Sequence, residues 1–473
     1  MDRQTNRRLR NPYSSKSKSP FRLLSALAII SFIVLSAVYI LFSTQSQINL
    51  PADGNEKNGS VIANKEQTPN MPSKDITNSN TDSNTMNAPT IAYAVSLTSC
   101  EETPSLIDGA AVLAHSVHLS SIQNPKSGSK YDYKMYAIVH KSAKSCQPIL
   151  EQIGYTVKLV DVPVPVEDIQ GDFLRENVPQ NGCCGEMEFI KLWAYTLLDH
   201  PFVVHLDLDT MVLKPMDELF DAALSGDTSQ LDSVMWPKER TANANTKVDT
   251  NDNTNDNASG SLNAFFTRDY NMSSGAKKKK PVGVQGGFLV LRPSQQVFEE
   301  FQDIIRKGDF QRGKGWGGLG FGPFYGSMTF QGIIPYFYDA LHPGTAVELD
   351  RCVYNQMADN PRMKKTVNDV VSGDCRDGRD DCEDCRERDI GDVATAHFTL
   401  CQKPWHCLPH GQDMLQHRMC KKLFKEWYRI RADLEQPNVA DNVVIGEGTF
   451  QPEHFRGFCK FSGQRGYIPI QLQ

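Results

Sequence analysis

A short apolar stretch that ends in two carboxylates constrains the fold of this 473-residue chain more than any other feature. Residues 202–206 read Phe-Val-Val-His-Leu, which is typical of a buried strand. Asp207 and Asp209 follow where this run ends, and alternate residues of an extended chain share a face, so both carboxylates can point the same way. Open α/β sheets hold ligands at the carboxyl ends of their strands. Two hard oxygen donors there suit Mn²⁺, or alternatively Mg²⁺, carrying a phosphorylated ligand.

The residues around this stretch predict an α/β fold with a mainly parallel sheet covered by helices. Before it, the predicted elements are strand 91–97, helix 106–119, strand 135–139, helix 146–153, strand 155–160 and helix 188–198. After it, they are strand 282–291 and helices 297–305 and 331–338. An alternation of strands and helices is typical of a parallel sheet, because each crossover helix returns the chain to the end of the sheet at which the previous strand began.

The amino end predicts a membrane anchor. Residues 1–22 carry seven basic residues against one acid, and residues 23–43 are apolar over a length that spans a bilayer as a helix. The basic tail should stay cytosolic, which places the rest of the chain in a lumen. The alternative is a cleaved signal peptide, but the apolar run is long for one and no clear small-residue cleavage site follows it. Residues 44–88 are polar and aperiodic, and predict a disordered stem.

The remaining domain plan follows from composition. We predict a single folded domain over residues 89–435, a disordered insertion over about 238–280, and a carboxyl-terminal extension over 436–473. The net charge of −6 gives no support for a nucleic-acid partner. Sequons at Asn58, Asn257 and Asn271 predict glycosylation if this part of the chain is lumenal.

The twelve cysteines predict disulfides in an oxidising compartment. A charged cluster holds Cys375, Cys382 and Cys385, and zinc is the alternative ligand for it. No second Cys-x-x-Cys pair stands at the spacing of a zinc finger, which favours disulfides. The pairings cannot be deduced from spacing.

Two glycine-containing segments leave alternatives open. Gln285, Gly286 and Gly287 begin a strand, where glycines mark either close approach to a ligand or a β-bulge. Residues 313–326 hold seven glycines and four aromatic residues. They predict either a hinged lid over a sugar or an aromatic-packed loop, and they lack the Gly-Lys-Ser/Thr ending of a phosphate-binding loop.

His397 completes a candidate metal site. It precedes Lys403-Pro404-Trp405, and an imidazole with two carboxylates suits Mn²⁺. Lys403 would supply a point charge to a phosphate.

In this order, the pieces resemble glycosyltransferase family eight, the glycogenin-like and galactinol-synthase-like enzymes, from about residue 91 to residue 405. Residues 206–213 resemble the family's Leu-Asp-x-Asp-x-x-Val-Leu, and residues 285–287 stand at its Asn-x-Gly strand. Gln331 stands at the start of its Asp-Gln helix, and residues 397–405 keep its spacing of His to Lys-Pro-Trp. The chain departs from the family pattern at Phe330 in place of Asp, Gln285 in place of Asn, and Leu400 in place of Gly.

The resemblance implies a GT-A fold, a UDP-sugar donor and transfer with retention of configuration. Together with the predicted anchor, we expect a type II protein of the Golgi membrane that transfers the sugar to a glycan or glycoprotein acceptor. The resemblance also implies that Asp207, Asp209 and His397 hold Mn²⁺ and that Gln331 and Lys191 are catalytic. The implied donor contacts are Leu97, Thr98, Lys191, Asp207, Leu208, Gln285, Gly286, Gly287, Gln331 and Lys403. No carboxylate is identified as a nucleophile, so double displacement and front-face substitution both stay open.

Three alternative functions remain at this point. The first is a catalytically silent sugar-binding scaffold, which Phe330 keeps open. The second is a self-glycosylating, glycogenin-like primer. The third is a zinc-dependent partner-binding module built on residues 375–407.

Overall fold

A seven-stranded sheet forms the centre of the fold in the computed structural model of the chain. Six of its strands run in one direction, and the seventh, β7, runs antiparallel between two of them. From one edge to the other, with strands numbered in chain order, they are β10 Ala346–Glu348, β6 Ala264–Arg268, β7 Val284–Leu291, β4 Val203–Leu206, β1 Thr90–Leu97, β2 Asp132–His140 and β3 Thr156–Val160. The predicted α/β class with a mainly parallel sheet is confirmed.

Six further strands among the described residues pair outside this sheet. They form the antiparallel pairs β5 Thr210–Val212 with β13 Thr395–His397, β8 Phe310–Gln311 with β9 Gly315–Trp316, and β11 Arg362–Lys365 with β12 Val371–Cys375. The α-helices are α1 Pro104–Leu119, α2 Gln147–Ile153, α3 Asp172–Asn177, α4 Asp217–Ser225, α5 Tyr270–Ser273, α6 Gln295–Lys307, α7 Phe330–Pro335 and α8 Leu415–Glu435.

The structure describes residues 88–100, 104–231, 235, 262–273, 280–365, 371–407, 415–435 and 466–470. All of them belong to the structural unit that spans residues 84–473. The predicted tail at 1–22 and anchor at 23–43 lie outside the described residues, as does the stem at 44–88 except for its last residue. No helix within the described ranges has the length and apolar character needed to span a membrane.

Both faces of the sheet are buried, which explains why its strands are mostly apolar. Along β1, Tyr93 and Val95 pack into one core cluster, whereas Ala92 and Ala94 pack into the other. This alternation follows from the two-residue period of a strand. Helices α1, α2 and α4 cover the first face, and the 3-10 helix Gly185–Thr196 and α6 cover the second.

The predicted disordered insertion over residues 238–280 is wrong for residues 262–273, which form β6 and α5. Strand β6 lies inside the sheet between β10 and β7, and its Phe265 and Phe266 are buried on opposite faces. These five strand residues are fewer than the polar residues on either side, so composition averaged over the segment hides them.

Two predicted helices differ in winding from an α-helix. The predicted helix over 188–198 is the 3-10 helix Gly185–Thr196. The predicted helix over 331–338 is α7 followed by the π-helix Tyr336–Leu341. Pro335 ends the α-helical part, because it has no amide hydrogen for the α-helical ladder.

Disulfides fasten the loops around the sheet. The pairs are Cys100–Cys146, Cys352–Cys385, Cys375–Cys382 and Cys401–Cys420, and Cys407 is disulfide-bonded as well. The disulfide interpretation of the cluster at 375–385 is therefore confirmed. Cys375, Cys382 and Cys385 are all in disulfides, so none of them is available as a thiolate ligand for the alternative zinc site.

The glycine-rich segment at 313–326 is mainly a packed loop. Trp316 and Phe321 are buried in the core, and the Trp316 indole donates to the Ser327 carbonyl at 2.8 Å. Tyr325 is 53% exposed. The aromatic-packed alternative therefore holds for the buried part of this loop.

Candidate metal site at the end of strand β4

Asp207 stands where the fold changes from the central sheet to a tight turn. Strand β4 is buried along its whole length, and the Asp207 amide donates to the Gly287 carbonyl at 3.4 Å, which extends the pairing with β7. The chain then turns, with the Thr210 amide and hydroxyl both donating to the Asp207 carbonyl, at 3.1 and 2.7 Å. This turn fixes the direction of Asp207 and Asp209.

His397 reaches the same place through backbone pairing. Strand β13 runs antiparallel to β5, with His397 opposite Thr210, and the Phe398 amide donates to the Asp209 carbonyl at 2.9 Å. The His397 Nε2 lies 3.3 Å from Asp209 Oδ1 and 3.8 Å from Asp207 Oδ2. The three predicted metal ligands are thus brought together from segments that are far apart in sequence.

The three ligand atoms fit a divalent cation. One side-chain donor atom of Asp207, Asp209 and His397 each lies within 4.8 Å of the other two. Ligand atoms about 2.1 Å from a six-coordinate ion lie about 3 to 4 Å apart, so these spacings suit Mn²⁺ or Mg²⁺. Two carboxylates and one imidazole are a donor set that favours Mn²⁺ over Mg²⁺, because Mg²⁺ prefers oxygen ligands alone.

Asn355 orients the His397 ring and was not predicted from the sequence. Its Nδ2 donates to the Thr267 hydroxyl at 2.9 Å, which leaves its Oδ1 to accept from His397 Nδ1 at 3.1 Å. A proton on Nδ1 leaves Nε2 free to face Asp209 and bind a metal. Asn355 has φ of 70°, a left-handed conformation that Asn adopts more readily than most residues. No motif surrounds it, so only the folded chain reveals it.

The glycines of β7 make room for the site. A Cβ on Gly287 would lie 2.3 Å from His397 Cε1, so the imidazole needs glycine there. A Cβ on Gly286 would lie 3.4 Å from Lys191 Nζ and 3.5 Å from Gln331 Cγ. Both glycines thus admit side chains of the candidate site against the strand.

Lys191 lies at the centre of a charged cluster. It is 8% exposed, and its Nζ contacts Asp207 Oδ1 at 3.0 Å, Glu188 Oε2 at 3.2 Å and the Gly286 carbonyl at 3.3 Å. Burial alone would lower the pKa of Lys191, but the charges of Asp207 and Glu188 outweigh it and raise the pKa above its ordinary value. Lys191 therefore stays protonated while it is buried.

Lys403 and Asp209 form the second charged contact. Lys403 Nζ donates to Asp209 Oδ2 and to the Phe398 carbonyl, the latter at 2.7 Å. Burial alone would raise the pKa of Asp209, but the neighbouring His397 and Lys403 hold it below its ordinary range. The carboxylate stays ionised, as a metal ligand must be.

The other predicted donor residues lie around this cluster at different depths. Leu97 is 4% exposed at the end of β1, and Thr98 and Leu208 are half-buried beside it and in the turn. Gln285 is 5% exposed, and its Oε1 accepts from the Gly287 amide at 2.6 Å. This hydrogen bond holds the Gln285 side chain against the backbone of β7. A contact of Gln285 with a donor stays a prediction.

Phe330, which stands in place of the family's acid, is fully buried. Its ring centre lies 5.5 Å from Lys191 Nζ and 6.0 Å from the His205 ring. His205 is also buried, and its Nε2 lies 2.8 Å from the Ser96 hydroxyl. The position next to Gln331 is thus occupied by an apolar ring that packs against Lys191 of the charged cluster.

Comparisons with known proteins give likeness of fold only. The chain matches no protein-family profile and no curated protein sequence. It is similar to the solved apo structure of mouse xyloside xylosyltransferase 1, at 14% identity over 67% of this chain and 99% of that chain, with a TM-score of 0.37. It is similar to the galactosyltransferase LgtC in complex with donor and acceptor sugar analogues, at 13% identity over 72% and 94% of the two chains, with a TM-score of 0.36. For the glycosyltransferase GlyE of Streptococcus pneumoniae the identity is 11% over 72% and 60%, with a TM-score of 0.34.

Proposed function

We propose that this protein is a Mn²⁺-dependent glycosyltransferase of the GT-A fold. It would transfer a sugar from a UDP-sugar to a glycan or glycoprotein acceptor with retention of configuration. The observation that carries the proposal is the convergence of Asp207, Asp209 and His397 with Lys191 and Lys403 at the carboxyl end of β4. The family-eight resemblance of the sequence supplies the retaining outcome and the uridine.

The balance of charge in the cluster explains why it would need a cation and then a diphosphate. Asp207, Asp209 and Glu188 face the two ammonium groups of Lys191 and Lys403, which leaves an excess of negative charge. A divalent ion reverses that sign. A cluster of net positive charge then attracts a doubly charged diphosphate into a partly buried site.

The chain's own residues would bind and orient the donor. When bound, Mn²⁺ would act as a Lewis acid that neutralises charge on the departing diphosphate. Lys191 is buried and Lys403 is half-buried, and their ammonium groups would donate charge-assisted hydrogen bonds to phosphate oxygens. Gln331, held beside Gly286 and Gly326, would orient the sugar with its amide. Thr98, at the end of β1, would contact the nucleoside.

A silent sugar-binding scaffold is the second candidate, and one observation favours it. Phe330 is fully buried where the resembling family has an acid, so this position supplies no carboxylate. The glycogenin-like primer has less support, because disulfides at four sites are not typical of a cytosolic protein.

A nucleotide-sugar screen tests the proposal. Full-length protein from an oxidising host would be incubated with Mn²⁺ and a panel of nucleotide sugars, and both thermal unfolding and donor hydrolysis would be measured. We expect one UDP-sugar to raise the melting temperature and to be hydrolysed only with Mn²⁺. The Asp209→Ala variant should lose both responses. Asp199→Ala, an exposed acid outside the cluster, is the matched control and should keep them.

The outcomes separate the candidates. Binding of UDP with no turnover, with or without added glycan acceptors, would favour the silent scaffold. No binding of any nucleotide, with or without Mn²⁺, would overturn the assignment of the metal site.

We further propose that residues 23–43 anchor the protein in the Golgi membrane with residues 44–473 in the lumen. The disulfides support an oxidising compartment. Protease protection of intact vesicles and a glycosidase-sensitive mass at Asn58 or Asn257 would test this. Asn271 is a poor acceptor, because it is half-buried and its Nδ2 donates to Asp359 at 3.0 Å. Release of the protein by carbonate extraction would contradict the anchor.

A further inference from the structure

Two adjacent cysteines next to the candidate site have no disulfide partner. Cys183 and Cys184 are the free cysteines among the described residues, and every other described cysteine is disulfide-bonded. Their Sγ atoms lie 2.7 Å apart. Two thiolates that share a tetrahedral zinc lie about 3.8 Å apart, given Zn–S bonds of about 2.3 Å. The spacing therefore favours a bond between the two sulfurs over a shared metal.

The turn that carries the two cysteines is tightly constrained. Gly182 and Gly185 flank the pair with φ of 71° and 58°, and a Cβ on Gly185 would lie 2.6 Å from the Pro179 carbonyl oxygen. Adjacent Cα atoms lie about 3.8 Å apart, whereas disulfides ordinarily join Cα atoms about 4.4 to 6.8 Å apart. A disulfide between neighbours is thus strained and more easily reduced than a structural one.

The pair contacts the charged cluster through Glu188. Cys183 Sγ donates to Glu188 Oε1 at 2.7 Å, and Glu188 Oε2 accepts from Lys191 Nζ at 3.2 Å. Lys191 in turn contacts Asp207 at 3.0 Å. A change at the Cys183 sulfur is therefore three contacts away from the proposed metal ligand Asp207, with Glu188 and Lys191 between them.

The same turn also contacts the end of the glycine-rich segment and the residues that follow it. Asn181 Oδ1 accepts from the Met328 amide at 3.0 Å, and a Cβ on Gly182 would lie 3.4 Å from Gly326 Cα. A Cβ on Gly326 would meet the Gln331 side chain. The turn thus packs against the segment that positions the proposed catalytic Gln331.

The two sulfurs differ in reactivity. The hydrogen bond between them is the main cause that lowers the pKa of Cys184 and raises the pKa of Cys183. Burial and the charge of Glu188 add to the increase in the pKa of Cys183. Cys184 is therefore the sulfur that ionises first and attacks a disulfide.

We propose that Cys183 and Cys184 form a reversible vicinal disulfide, a covalent modification site that adjusts donor binding. The Cys184 thiolate attacks one sulfur of a small disulfide such as oxidised glutathione, which forms a mixed disulfide and releases one thiolate. Cys183 gives its proton to water, attacks the Cys184 sulfur and releases the second thiolate. The two cysteines lose two electrons, and the small disulfide gains them and becomes two thiols.

Formation of the disulfide between Cys183 and Cys184 should weaken donor binding. In the disulfide, Cys183 has no S–H to donate to Glu188, so the Glu188 charge is opposed by Lys191 alone. Lys191 is then held more firmly away from a diphosphate. We expect the dissociation constant of UDP, measured with Mn²⁺, to rise about threefold to tenfold on oxidation. This effect rests on the proposed function, whereas the sulfur chemistry does not.

Redox titration of the full-length protein tests the proposal. The protein would be equilibrated in glutathione buffers that range from mostly oxidised to mostly reduced glutathione, quenched with acid and alkylated. Tryptic cleavage after Arg175 and Lys191 isolates both cysteines on the peptide 176–191. We expect two alkyl groups on this peptide at reducing potentials and none at oxidising potentials. The other disulfide-bonded cysteines should stay unalkylated throughout.

Calorimetric titration with UDP and Mn²⁺ at both ends of that range gives the second readout. The wild type should show the threefold to tenfold change. A Cys183→Ser/Cys184→Ser variant should show no dependence on potential. Glu188→Gln should still form the disulfide but lose the dependence, because the charge that transmits it is gone.

The outcomes separate the two hypotheses. Two free thiols at every potential would overturn the modification site. A disulfide that forms without a change in UDP binding would overturn the effect on the donor. A disulfide that forms in a protein that binds no UDP in either state would overturn the proposed function and keep the modification site.

Discussion

At the scale of single residues, the His397 imidazole is fixed from two sides. Gly287 gives it room against β7, because any Cβ there would lie 2.3 Å from the ring. Asn355 accepts from its Nδ1 at 3.1 Å and sets which nitrogen faces the carboxylates. The metal-binding direction of His397 therefore depends on two residues that would not themselves touch a metal.

Gly287→Ala should displace the His397 ring and weaken metal binding. We expect the Mn²⁺ dissociation constant to rise at least about tenfold, as for loss of other outer-shell support. Overpacking should also lower the free energy of unfolding by about 1–3 kcal/mol. Titration of Mn²⁺ followed by electron paramagnetic resonance, with urea unfolding alongside, measures both.

Gly391→Ala is the control for Gly287→Ala. A Cβ there meets only the flexible Asp389 carboxylate, at 3.4 Å, so Mn²⁺ affinity should not change. Wild-type affinity in Gly287→Ala would mean that His397 does not bind the metal in the orientation described.

Asn355→Ala should separate metal affinity from backbone strain when it is compared with Asn355→Gly. Both variants lose the hydrogen bond to His397, so both should weaken Mn²⁺ binding by about 10- to 100-fold. Only alanine places a Cβ in a left-handed conformation, since φ is 70° there. The free energy of unfolding of the Asn355→Ala variant should therefore be lower than that of Asn355→Gly by about 1 kcal/mol or more. Equal Mn²⁺ affinity in wild type and Asn355→Gly would remove the positioning role.

How far single site residues can be read from the sequence depends on what marks them. Asp207, Asp209 and His397 could be predicted because each stands in a local pattern, and the structure brings them together. Asn355 could not, because its role arises from contacts with Thr267 and His397, 88 and 42 residues away. Glu188 was likewise hidden inside a helical pattern that explained it without a site.

At the scale of elements, long strands and helices were predictable and short pairings were not. The strand that becomes β1 and the helix that becomes α1 follow clear apolar periods. Strands β5 and β13 have three residues each, too few for a period, yet their pairing places His397 opposite Thr210. Strand β6 was missed because polar residues surround it. Tertiary pairing, not local propensity, selects such short strands.

The Cys401–Cys420 disulfide should stabilise the fold without setting metal affinity. It ties the loop after β13 to α8 and closes 19 residues of sequence separation. Replacing both cysteines by serine should lower the free energy of unfolding by about 2–4 kcal/mol in urea titration. Mn²⁺ affinity should stay within about threefold, because β5 and Asn355 hold His397 independently.

The Cys375–Cys382 pair is the matched comparison, since it closes only 7 residues. Chain entropy predicts a loss smaller by about 0.9 kcal/mol for its double serine variant. A large loss of Mn²⁺ affinity in Cys401→Ser/Cys420→Ser would show that the disulfide, and not the strand pairing, positions the site.

At the scale of the whole molecule, the sheet order explains the position of the candidate site. Six strands have their carboxyl ends on one side of the sheet, and β7 begins on that side because it runs the opposite way. Residues from the end of β4 and the beginning of β7 therefore meet on that side. The parallel class could be predicted from alternation of elements, whereas the reversed β7 could not, because a strand's direction leaves no mark in its composition.

Metal and nucleotide should each bind far more tightly in the presence of the other. Without a cation, three carboxylates outnumber two lysines in the cluster, which repels a diphosphate. We expect Mn²⁺ to lower the dissociation constant of UDP by about 100-fold or more. The coupling free energy is a property of both sites together, so UDP must lower the dissociation constant of Mn²⁺ by the same factor. Calorimetric titration of protein treated with a chelator, along all four sides of the cycle, measures both factors. UDP at 100 times the dissociation constant of the Mn²⁺-loaded protein should then stabilise that protein by about 2.7 kcal/mol, and the metal-free protein by about 0.4 kcal/mol or less. UDP that binds equally well with and without Mn²⁺ would mean that the lysines, and not a metal held by Asp207, Asp209 and His397, receive the diphosphate.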